Sequence, residues 1–79
     1  MSLKSLVADF SAEMYEKLRH KQDCGWGGWN EECQVSDEEL ETDLMKHIGR
    51  ARSDPKQWID VANYAAFLWR RAQRREVKR

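Results

Sequence analysis

The stretch Asp54-Pro55-Lys56-Gln57-Trp58-Ile59-Asp60-Val61-Ala62-Asn63-Tyr64-Ala65-Ala66-Phe67-Leu68-Trp69 decides the fold. Trp58, Val61, Ala62, Ala65, Leu68, Trp69 and Ala72 recur at three- and four-residue steps, the period of one face of an α-helix. Asp54 suits a helix N-cap and Pro55 the first helical position, so a helix is predicted over 55–76. Ile59, Ala66 and Phe67 fall outside the stripe and widen the apolar arc beyond what one neighbouring helix covers. This helix is therefore expected to be central or to meet another chain, with Ile59, Ala66 and Phe67 at an oligomer interface.

Working outward, Val35-Ser36-Asp37-Glu38-Glu39-Leu40 is a helix start. Ser36 and Glu39 form a capping box, Val35 and Leu40 a hydrophobic staple, and the early acids suit the helix dipole. Leu40, Leu44, Ile48 and Ala51 continue the stripe, giving a helix over 37–52. Leu3, Val7, Phe10, Met14 and Leu18 mark a first helix over 3–21. Between these two helices, Gly25, Gly27 and Gly28 interleave with Trp26 and Trp29, which reads as a compact loop pinned by aromatics. The fold class is all-α, a three-helix chain with a Gly/Trp loop.

The chain has 79 residues, enough for one domain spanning 1–79 that is marginal alone and gains from a partner chain. Formal net charge is zero, which removes any global pull toward nucleic acid or an anionic membrane. Charge is nevertheless segregated: Glu31 to Asp43 holds seven acids and no base, and Arg70 to Arg79 six bases and one acid. The basic 70–79 end is read as a solvated, frayed helix end. No apolar run reaches membrane-spanning length, and the first residues open an amphipathic pattern rather than a signal peptide. The expected location is the cytoplasm, where Cys24 and Cys33 stay reduced by default.

Several residues carry chemistry. Asp60 lies among apolar neighbours, so its carboxylate is either on a narrow solvated side or paired or bound to a cation. Glu39 and Asp43 share a face at i,i+4 and His47 continues it, which makes Asp60, Glu39, Asp43 and His47 a candidate Mg²⁺ set, against the simpler reading of the acids as dipole partners. Lys21, Trp26, Trp29 and Asn63 are candidates for holding a nucleotide, the rings by stacking on a base and the lysine by pairing with phosphate. The alternative is that both tryptophans cap the helical core. His20, Cys24, Cys33 and His47 are possible zinc ligands, but eight residues between the cysteines match no recognised finger.

Asp60-Val61-Ala62-Asn63-Tyr64-Ala65-Ala66-Phe67-Leu68-Trp69 resembles the DVANFAMMLW segment of phage-encoded MazG-like proteins, members of the all-α nucleoside triphosphate pyrophosphohydrolases. His20-Lys21 with Gly27-Gly28-Trp29 is similar to their HKGGW stretch with an insertion, and the likeness spans Glu13 to Arg71. It implies a helical bundle that dimerises and a Mg²⁺-dependent hydrolysis yielding pyrophosphate, using EExxE and ExxD motifs. Asp60 matches the Asp of ExxD, but Gln57 replaces its Glu, and Lys46, His47 and Arg50 stand where EExxE acids belong. The resemblance thus implies a divergent, catalytically weak or inactive relative in a phage-infected cell. It would bind a nucleotide or a host or phage protein and associate with itself as a dimer or higher oligomer. An active pyrophosphohydrolase and an unrelated small helical inhibitor of a host protein are the alternatives.

Overall fold

A computed structural model describes residues 2–25 and 34–77, with side chains to Arg75. Within them lie three helices: α1 (Leu3–Asp23), α2 (Asp37–Ala51) and α3 (Gln57–Val77). Among the described residues there is no strand, and no helix is long and apolar enough to cross a membrane. The Gly/Trp loop reading falls on residues outside this set.

The ends follow local chemistry. Ser2 caps α1, its hydroxyl accepting from the Ser5 amide at 3.0 Å. α1 closes at Gly25, whose φ of 91° lies in the left-handed region that glycine enters without a Cβ clash. Ser36 accepts from the Glu39 amide at 3.1 Å, which forms the N-cap half of the capping box, and Val35 packs against the Leu40 cluster as the staple requires. α3 starts two residues later than Pro55 because Asp54 first closes a tight turn. Its carbonyl accepts from the Gln57 amide at 3.0 Å, and the Pro55 carbonyl from Trp58 at 3.2 Å.

α3 is the central element: α1 and α2 each pack against it, and α1 runs nowhere alongside α2. The core is Leu40, Tyr64 and Phe67, bordered by Leu18, Val35, Leu44 and Leu68. Phe67, expected at an oligomer interface, is instead a core residue only 4% exposed. The reason is azimuth: at about 100° per residue, Asp60, Tyr64, Phe67 and Arg71 share one side of α3, and that side faces α2 and α1. Of the predicted core stripe, Leu68 borders the core, while Trp58 and Trp69 point the other way and are 47% and 57% exposed. α1 has no buried residue; Phe10, Met14 and Leu18 are half-buried, while Leu3, Leu6 and Val7 are exposed.

At the basic end of α3, Arg70, Arg74 and Arg75 are exposed, as expected of a solvated end, and Arg71 is not. The helix continues to Val77, and Arg71 is buried with Nη1 donating to Asp37 Oδ1 at 2.9 Å. Arg75 Nη2 donates to the other oxygen of Asp37 at 2.6 Å, so one first-turn acid of α2 clamps two arginines of α3. Hydrogen bonds from Arg75 and then Arg71 hold the Asp37 carboxyl below its ordinary value of 3.8. A depressed native pKa stabilises the fold above the unfolded value and loses that contribution as pH falls through the native one. The stability gap between wild type and Asp37→Asn, measured by urea unfolding, is therefore expected to be constant near neutrality and to shrink below about pH 4. A gap that widens with acid would contradict the clamp.

Candidate functional site

Asp60 is where chemistry concentrates. It sits in the first turn of α3 on the inward face and is 3% exposed. A carboxylate buried to this degree needs cations. Lys17 and Lys21, one turn apart on α1, both supply them. Lys17 Nζ donates to Asp60 Oδ2 at 2.7 Å, and Lys21 Nζ lies 3.7 Å from Oδ1, which takes no hydrogen bond. From α2, His47 Nδ1 lies 3.7 Å from Asp60 Oδ2 and donates to Gln57 Oε1 at 2.6 Å. Gln57 in turn donates to Asp54 Oδ2 at 3.2 Å. A single polar knot thus ties all three helices at one point.

Aromatic contacts wall it. The His47 ring stacks on Tyr64 with centroids 5.2 Å apart, and the Lys21 ammonium lies 5.5 Å over the same Tyr64 ring. Burial, followed by the charges of Asp43 and Asp60, raises the Tyr64 pKa above its ordinary 10.0, so the phenol stays protonated at neutral pH. One turn from Asp60, buried Asn63 donates from Nδ2 to the Met14 carbonyl at 3.4 Å, a second tie from α3 to α1.

Of the candidate metal residues, the fold brings Asp60 and His47 together. Asp43 is half-buried one turn before His47, and Glu39 is exposed, beside Ser36, Glu38, Thr42 and Lys46 in a shallow depression on α2. Among the described residues no three His, Cys, Asp or Glu side chains converge. A hard divalent cation needs several oxygen ligands, whereas the buried carboxylate here faces two ammonium groups and an imidazole. As arranged, this set does not fit Mg²⁺. Of the candidate nucleotide residues, Lys21 and Asn63 serve internal contacts, and Trp26 and Trp29 lie outside the described residues. Cys24 is exposed with Sγ 3.9 Å from His20 Nε2, and Cys33 is outside the described set.

Sequence reasoning did not assign Lys17, Gln57 or Arg71 to these contacts. The signal for Lys17 was present: Lys17 and Lys21 at i,i+4 form the only same-face lysine pair in the first helix, and a carboxylate amid apolar residues calls for such a pair.

The solvent side of α3 is the second feature of note. Trp58, Ala65, Trp69 and Ala72 are exposed along it, and Val61 and Ala62 are half-buried. Compared with known protein families, curated proteins and solved structures, the chain matches none. The MazG-like resemblance rests on the residues quoted for it.

The knot makes an asymmetric expectation. Both lysines reach solvent, but Asp60 does not. Removing both cations (Lys17→Met with Lys21→Met) strands a buried charge and is expected to cost about 3–5 kcal/mol, while Asp60→Asn releases the lysines to water and costs about 1 kcal/mol. Urea unfolding at neutral pH reads both; a costlier Asp60→Asn would overturn the assignment.

Proposed function

We propose that this protein is a non-catalytic helical interaction module that works docked on protein, through the outer face of α3 and the amino half of α1. One observation carries the reading: α3 leaves Trp58, Ala65, Trp69 and Ala72 of its apolar stripe exposed while it buries Asp60, Asn63 and Arg71. Trp58, Trp69, Leu3, Leu6 and Val7 are all large and substantially exposed, on two faces that no other described element covers. Covering each large side chain is worth about 1.5–3 kcal/mol, and tryptophan is among the residues that dominate protein interfaces.

The acidic chemistry that hydrolysis of a nucleoside triphosphate demands counts in the same direction, because Asp60 is committed to lysines and Lys46, His47 and Arg50 occupy the positions of the missing acids. The divergent, inactive version of the MazG-like reading agrees with this better than the enzymatic one does. Incubation with each deoxynucleoside triphosphate and Mg²⁺ is expected to release no pyrophosphate above the buffer control. Release that Asp60→Asn abolishes would replace the module with an enzyme.

Docking itself is tested by cross-linked capture from source-cell extract. Proteins held by wild type are expected to be lost with Leu6→Glu or Trp58→Glu and kept with Lys4→Glu, all three variants retaining wild-type helical circular dichroism. Identical capture profiles for all four baits would sink the proposal.

A further inference from the structure

We infer that the outer face of α3 is taken by a second copy of the same chain, packed as an antiparallel helix pair about a twofold axis at the middle of α3. The inference rests on the preceding reading only in treating this face as a docking face.

The residue order supplies the argument. Trp58, Ala62, Ala65, Trp69 and Ala72 are spaced by alternating steps of four and three, the seam of a left-handed helix pair. From Trp58 to Trp69 the seam is also a palindrome, and Ala72 beyond it falls opposite the partner's Pro55. With the axis between Asn63 and Tyr64, Trp58 faces Trp69 of the partner subunit and Ala62 faces Ala65 of the partner subunit. The other half of the contact repeats these pairs, as a twofold interface requires. Small residues meet at the centre, where two backbones must come close, and the indoles meet at both ends, where they stack across the pair.

The flanks obey the same symmetry. Ile59 comes beside the partner's Ala66, and Val61 beside the partner's Leu68. Ile59, Ala66, Val61 and Leu68 are each half-buried within the single chain. Asp60, Asn63 and Tyr64, the polar residues of the segment, are all turned inward, so the charge that borders the seam is that of Arg70, whose guanidinium lies 5.2 Å over the Trp69 ring at its end. Antiparallel helices also oppose their dipoles, and the pairing sets exposed Asp54 beside the partner's arginine-bearing helix end. The seam runs about 21 Å along α3, and two such faces with their four indoles cover on the order of 1,000 Å², where specific dimers begin. An unrelated helical partner would have no reason to find a face symmetric about its own midpoint.

Sedimentation velocity over about a hundredfold range of concentration is expected to show a dimer that dissociates on dilution. Ala62→Glu and, independently, exposed Ala65→Glu are expected to raise the dissociation constant by about tenfold or more with helicity retained. Register is read by disulfide trapping with Cys24 and Cys33 replaced by serine. Chains carrying Ala62→Cys should cross-link to chains carrying Ala65→Cys, and not to chains carrying Ala72→Cys. Trapping of Ala62→Cys with itself in preference to that pair would overturn the antiparallel register. A monomer at every concentration would overturn self-association. In that case, loss of a captured protein with Trp58→Glu leaves the interaction-module reading standing, and unchanged capture removes both.

Discussion

A charge cannot be left alone in a protein interior, and α3 carries one. Asp60 is buried one turn into the helix, so its surroundings must supply cations, and the rest of the architecture arranges itself to do so. Lys17 and Lys21 bring α1 to α3, and His47 brings α2 by way of Gln57. Once Asp60 faces inward, the period of the helix carries Asn63, Tyr64, Phe67 and Arg71 inward with it. The tryptophans are left on the opposite side. The exposure of both α3 tryptophans is thus the geometric consequence of where one carboxylate sits.

A similar logic operates at the other end of the helix. Arg71 is buried against Asp37, and Asp37 is at once a first-turn acid of α2, an arginine clamp and a neighbour of the Ser36 cap. The two ion clusters stand about eleven residues apart on α3, roughly 16 Å, and pin α2 antiparallel to it from both ends. Between them lies the small apolar centre of Leu40, Tyr64 and Phe67, with the phenylalanine meeting the tyrosine edge-on at 5.7 Å. Among the described residues the core holds three large side chains, which is why the charged clusters matter to the specificity of the packing.

Helix positions were legible in the sequence because they depend on neighbours in the chain. The Ser36 cap, the Val35 and Leu40 staple and the apolar periods placed all three helices to within two residues. The burying face of α3 was not legible. Periodicity reports that an apolar side exists, and burial depends on which side has a companion. Here the companions were recruited by charge, and the pairs Lys17 with Asp60 and Asp37 with Arg71 join residues far apart in sequence. Of the candidate metal set, His47 and Asp60 come within 3.7 Å; Glu39, grouped with Asp43 and His47 by their spacing along one helix, ends on the exposed side of α2.

That α1 touches α3 and nowhere lines up with α2 has a kinetic meaning. α2 and α3 are joined by a five-residue turn and meet along their length, so their contacts are close in sequence and can form early. α1 is held by Lys17, Lys21, Asn63 and a few half-buried side chains, and its ties to Asp60 and Asn63 span 39 to 49 residues. The molecule is therefore built as a hairpin plus a strut, with the strut the last piece to dock and the first to swing free.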